Sequence, residues 1–269
     1  MNMTKPHYIQ QAVLTVCCLI FIAGCATSPT GRSQFLLFST DQLDTMGTQA
    51  FSAMKSDLTI SNQAIENAYV QCVANALIPH VPKSAFDGQW EVVVFADDQI
   101  NAFALPGGKI GVYTGLLKVA ETDDQLAAVI GHEIGHVIAQ HSNERMSQSQ
   151  LIDMGSQALN AVLTANEVPQ NNMIMSAIGL GVQVGVQLPF SRAHESESDT
   201  IGLILMAQAG FDPRESVTLW ENMAAVSGEK PVELLSTHPS EATRIDNLQN
   251  NMPSALVDFN NTTSRPQCG

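Results

Sequence analysis

The sequence predicts an α+β fold, mostly helical, with one small sheet. Three observations carry that expectation. Strand-like runs are confined to residues 88–113, apolar positions elsewhere recur at helical spacing, and helix-start signals stand on both sides of the strand region. The composition suits a folded body. Of 269 residues, 45% are hydrophobic and 14% charged, which allows a sizeable core and does not match a disordered acidic tail. The balance of 12 Lys and Arg against 26 Asp and Glu gives a net charge of −14. A surplus of acid argues against nucleic acid as a partner and against electrostatic attachment to anionic lipid.

The elements follow in order. Residues 39–55 read as a helix, with Ser39 and Gln42 spaced as a capping box. Ile65, Tyr69, Cys72, Val73 and Leu77 share one face of a second helix that stops before Pro79. Asp87-Gly88 is a turn, and residues 90–96 form a β-rich run expected as a buried strand. Residues 101–105 and 109–113 flank Pro106-Gly107-Gly108, a type II turn signal, and so predict a hairpin. Thr122 and Gln125 repeat the capping-box spacing and start a helix expected to reach about residue 142. Residues 146–167 are helical and polar on one side. Residues 168–191 carry no charge and are broken by Gly and Gln, which fits either a lid over a site or a buried core helix. Asp212-Pro213-Arg214-Glu215 starts another helix, and a last one begins near Pro239.

The chemistry sits on two helices. Residues His132-Glu133-Ile134-Gly135-His136 form His-Glu-x-x-His, whose i,i+4 spacing puts both imidazoles on one face about 6 Å apart. Glu133 stands beside the first ligand, where it can act as general base. A third ligand is expected from Glu195, with Asp199 one turn later to accept the free N–H of a ligand imidazole and fix its tautomer. Glu197 points elsewhere and is expected on a solvated face, while His141 and His194 read as surface or helix-end histidines.

Together with residues 101–108, 110–117 and 191–199, these motifs resemble the gluzincin family of HtpX and the CAAX prenyl endopeptidases. Within it they are similar to the lipidated, soluble-bodied group of LoiP and YcaL. The resemblance spans residues 30–252. It implies a gluzincin-type zinc peptidase domain with one Zn²⁺ per chain, held by His132, His136 and Glu195. It also implies roles for His238, which precedes Pro239, and for Arg244. Either would hold an oxyanion; the alternatives are a helix-capping His and a structural Arg ion pair. In some relatives the His closes the zinc site and holds the enzyme latent. One departure is Ser198, where the family commonly has Ala. An exposed edge strand of Lys109, Ile110, Gly111, Val112 and Tyr113 is expected to pair with extended substrate, or else to be an internal strand.

The N-terminus has Lys5 and His7 before an apolar run at residues 12–23, too short to span a membrane. It closes on Ile22-Ala23-Gly24-Cys25, which resembles a bacterial lipobox and implies cleavage and lipidation at Cys25. Ala26 is not the Asp that marks inner-membrane retention, so an outer-membrane lipoprotein with a periplasmic body in a Gram-negative bacterium is expected. The expected organisation is residues 1–24 as signal, 25–34 as a flexible tether, 35–252 as peptidase domain and 253–269 as a polar tail. Cys72 and Cys268 then remain, either as a disulfide or as a buried thiol with a frayed end. The substrates implied are misfolded or stalled envelope proteins, with the outer-membrane assembly machinery as a partner. The rival readings are a latent-peptidase quality-control factor and a zinc hydrolase of cell-wall peptides.

Overall fold

The computed structural model describes residues 25–166, 175, 191–226, 233–238 and 242–269. The expected signal at residues 1–24 and the uncharged run at 168–191, apart from Met175 and Ser191, lie outside the described residues, as does Pro239. Among the described residues, no helix is long and apolar enough to cross a membrane.

Where the sequence suggests a loose tether, β1 (Cys25–Thr27) pairs antiparallel with β2 (Ser33–Phe35) across a turn at Gly31. The ribbon is held because its polar side chains find buried partners: Gln34 is buried and its amide donates to the Ala139 carbonyl. Next comes α1 (Thr40–Asp57), with both bonds of the Ser39/Gln42 capping box made. Helix α2 (Ala64–Leu77) buries Val70, Val73, Ala74 and Leu77, so its inner face is rotated from the expected one and Ile65 is left 86% exposed.

The sheet corrects one expectation. β3 (Glu91–Phe95), β4 (Ala102–Leu105) and β5 (Lys109–Tyr113) stand in the order β3-β5-β4. β4 and β5 form the expected hairpin, with positive φ at Gly107 (81°) and Gly108 (67°). β3, however, pairs in parallel with the other side of β5, Glu91 opposite Lys109. Residues Lys109, Ile110, Gly111, Val112 and Tyr113 are therefore the central strand and offer no free edge. The edge nearer the site is β4. Phe51, Phe95, Phe103 and Tyr113 pack as an aromatic cluster that joins α1 to the sheet.

Helix α3 (Asp123–Ile138) is the centre of the molecule: every residue from Gln125 to Val137 is buried. Thr122 caps it, while Gln125 Oε1 accepts from the Glu121 N–H, so only half of the expected box forms. The helix ends four residues early, because Gln140 takes a left-handed conformation (φ 54°) and turns the chain into α4 (His141–Ala165). Helix α5 (Arg192–Ala209) lies against α3. A Cβ at Gly202 would meet the His132 backbone N at 2.7 Å, and one at Gly135 would meet the Ser198 carbonyl at 2.9 Å. The two helices carrying the chemistry thus approach backbone to backbone.

Helices α6 (Glu215–Val226), α7 (Glu233–Thr237) and α8 (Ala242–Asn261) follow. α8 runs through Pro253, the expected start of the polar tail, and buries Ala255 completely. Beyond it the chain returns to α2, where Cys268 is disulfide-bonded to Cys72, 196 residues away. The bond closes so long a loop that reduction is expected to destabilise the fold by about 2–5 kcal/mol, read as a lower Tm in dithiothreitol.

Candidate active site

Four buried side chains converge. One donor atom each from His132, His136, Glu195 and His238 lies within 4.8 Å of the others. His132 Nε2 is 3.1 Å from His136 Nε2 and 3.4 Å from Glu195 Oε2, and His136 Nε2 is 3.5 Å from Glu195 Oε1. Two donors each about 2.0–2.2 Å from a tetrahedral ion lie about 3.3–3.6 Å apart, so this set has the dimensions of a zinc shell. Imidazole lone pairs facing one another in a dry interior also favour a cation between them. His238 adds a fourth donor: its Nδ1 is 3.1 Å from Glu195 Oε1 and 3.3 Å from His132 Nε2.

Asp199 lies where the sequence places it. Its Oδ1 meets His132 Nδ1 at 2.9 Å, leaving Nε2 for the metal. Arg244 is buried against both carboxylates, with Nε donating to Asp199 Oδ2 at 2.8 Å and Nη1 at 3.0 Å from Glu195 Oε2. Its guanidinium stacks 3.7 Å from the Trp220 ring. The structural ion pair is what the geometry shows, and the expected oxyanion role for Arg244 is not supported by it. Glu133 Oε1 has no hydrogen-bond partner among the described residues and stands 3.6 Å from His238 Nε2.

The electrostatics follow from burial. Burial pushes the Glu133 carboxyl up, and the neighbouring His238 and His132 only partly offset it. Burial pushes His136 well down, helped by His132 and His238. For His132, burial and Arg244 act downward, but bonds to Asp199 and Glu195 win and raise it to about 9. Burial acts to raise Glu195, yet His132 and His238 hold it below the usual carboxylate range.

The sequence reading missed a second polar cluster behind the first. Glu197 is buried, not solvated, and so are His141 and His194. Glu197 Oε2 accepts from His141 Nε2 at 3.1 Å and from Arg32 Nε at 2.9 Å. Arg32 also grips Glu144 with two bonds of 2.9 and 2.7 Å, and His194 Nε2 meets the same carboxylate at 3.1 Å. The docked ribbon supplies Arg32, the cation that both carboxylates share, and no local signal marks it. Burial alone would raise Glu144, but the bonds from His194 and Arg32 outweigh it and hold the carboxyl at about 2. A depressed carboxyl contributes its full stability above the ordinary pKa of 4.5 and loses it as pH falls through the folded value. Wild type is therefore expected to lose more stability than Glu144→Gln between about pH 5 and pH 2, measured by urea unfolding.

The sequence profile of peptidase family M48 matches residues 64–252. The chain belongs to peptidase family M48. The family is zinc-dependent, and the His132–His136–Glu195 set is where this M48 chain would hold the ion. Among its relatives is the mitochondrial metalloendopeptidase OMA1 of Schizosaccharomyces pombe, 39% identical over 64% of this chain and 49% of that protein. The human mitochondrial metalloendopeptidase OMA1 is 29% identical over 84% of this chain and 45% of its own length. The β-barrel assembly-enhancing protease of Escherichia coli is 28% identical over 82% of this chain and 46% of its own length. This M48 chain thus spans about half the length of the curated relatives it matches.

Proposed function

We propose that the chain is a zinc-dependent endopeptidase that cleaves misfolded or stalled envelope proteins, held by a lipid on Cys25 at the periplasmic face of the outer membrane. The convergence of His132, His136 and Glu195 beside the buried Glu133 Oε1, which has no hydrogen-bond partner among the described residues, carries the catalytic part. Bound zinc would supply Lewis-acid polarisation of the scissile carbonyl and acidify the attacking water. Glu133, its affinity for protons raised by burial, takes the proton from that water and returns it to the leaving amine. His238, close to both Glu133 and Glu195, can donate to the oxygen that gains charge. β4 is the edge strand packed along α3, so an extended substrate would pair there, with recognition carried by backbone bonds.

The lipobox-like end of the first 25 residues supports the lipid anchor, and the motif order supports kinship with the LoiP and YcaL group. The name of the Escherichia coli relative favours outer-membrane assembly as the setting. The purified chain is expected to cleave casein, to stop when zinc is chelated, and to recover on adding Zn²⁺. No cleavage by a chain carrying stoichiometric zinc would count against the reading.

One observation favours a second reading, a latent peptidase. With His238 in the cluster, four protein donors face one point and no position is left for water. Casein cleavage by His238→Ala separates the two: a several-fold gain indicates latency, and a loss of about 10²-fold or more indicates an oxyanion donor.

A further inference from the structure

The two zinc-facing imidazoles are supported differently. His132 meets the carboxylate of Asp199 directly, whereas His136 Nδ1 lies 2.9 Å from His141 Nδ1. With His136 Nε2 directed at the other donors, its Nδ1 carries the proton and donates to His141 Nδ1. His141 Nε2–H is then free to donate to Glu197 Oε2, 3.1 Å away. His141 is completely buried, and Ser198 Oγ lies 3.3 Å from its Nδ1. Glu197 also accepts from Thr30 Oγ1 at 2.6 Å and from Arg32 Nε at 2.9 Å, both on the N-terminal ribbon.

We propose that His141 and Glu197, clamped by Thr30 and Arg32 of the ribbon, form a positioning relay for His136, the counterpart of Asp199 on His132. The relay rests on the zinc reading of the site. It makes residues 28–32 part of the support of the metal centre, although 165 residues separate Arg32 from Glu197. The physical case is the cost of the alternative. A buried imidazole that is free to rotate loses metal affinity, and outer partners of metal-bound histidines are typically worth about 10–100-fold. Arg32 contributes by compensating two buried carboxylates, Glu197 and Glu144, that would otherwise repel. Arg32 Nε and Thr30 Oγ1 together fix the Glu197 carboxylate in place opposite His141.

The test is zinc affinity of the purified chain, by competition with a chromophoric chelator, alongside the Tm of the metal-free form. Glu197→Gln keeps the shape and removes the charge, and is expected to weaken zinc about 10–100-fold. Arg32→Ala, a substitution at a partly exposed side chain, is expected to weaken it about 3–10-fold, with the double variant less affected than the two effects multiplied. The visible absorption of the Co²⁺-substituted chain is expected to change in both, which a loss of general stability would not produce. As a control, Gln125→Ala breaks a part-buried bond to Glu215 at the N-terminal end of α3, outside the ligand set and its partners, and is expected to lower Tm at unchanged zinc affinity. Wild-type affinity and an unaltered cobalt spectrum in Glu197→Gln and Arg32→Ala would overturn the relay. Should Glu197→Gln not fold, Arg32→Ala and its spectrum decide. A wild-type chain that takes up no zinc would overturn the zinc reading itself, an outcome distinct from normal uptake in the variants.

Discussion

Glu133→Gln is expected to lower kcat for casein cleavage by about 10²–10⁴-fold while zinc content stays at one ion per chain. Glu133 occupies the position in α3 next to the ligand His132, is 3% exposed, and has one carboxylate oxygen with no hydrogen-bond partner among the described residues. Glutamine fills the same volume, so the α3–α5 contact and the metal donors stay in place, but it cannot accept a proton. Burial makes the native carboxylate a stronger base than an exposed glutamate, and that advantage disappears with the charge. The comparison needs zinc analysis of both proteins. Full activity in a zinc-loaded variant would remove Glu133 from the general-base role. The same variant, binding but not cutting, is a trap whose captured proteins, identified by proteomics, name the substrate.

Arg244→Met is expected to cost about 3–5 kcal/mol of stability in the zinc-free protein. Arg244 is 3% exposed and is shared by Asp199 and Glu195, each of which is buried as well. Removing it leaves two carboxylates facing each other in a dry interior, with the stacking on Trp220 also lost. At this chain length the loss corresponds to a fall in Tm of about 10 °C. Adding Asp199→Asn is expected to recover part of it, because the second change removes one stranded charge. A loss below about 1 kcal/mol would show that water reaches the pair in solution.

The catalytic helices were the most legible part of the molecule. Spacing alone put His132 and His136 on one face, singled out Glu195 and Asp199, and separated both from Glu197. These are i,i+4 relations, set by helix geometry whatever the surroundings. The disagreements share one cause, contacts between distant segments. β5 is central because β3 reaches it across a parallel register, and a hairpin signal says nothing about its second neighbour. Glu197 reads as solvated until Arg32 arrives from the ribbon. His141 reads as a surface or helix-end histidine of α3, but the left-handed Gln140 starts a new helix there, and the His141 ring lies against His136. Ile65 fits a helical period and is nonetheless exposed, since the packing of α2 against α3 selects a rotated face.

The bond between Cys72 and Cys268 turns nearly three-quarters of the protein into a covalent ring, and every residue of the metal centre lies inside it. A single backbone cut anywhere between residues 73 and 267 opens the ring without releasing a fragment. For a peptidase whose neighbours in solution are other copies of itself, that closure turns self-cleavage from a loss of material into a nick. Such a nicked chain would migrate as one species until reductant is added, and only then as two.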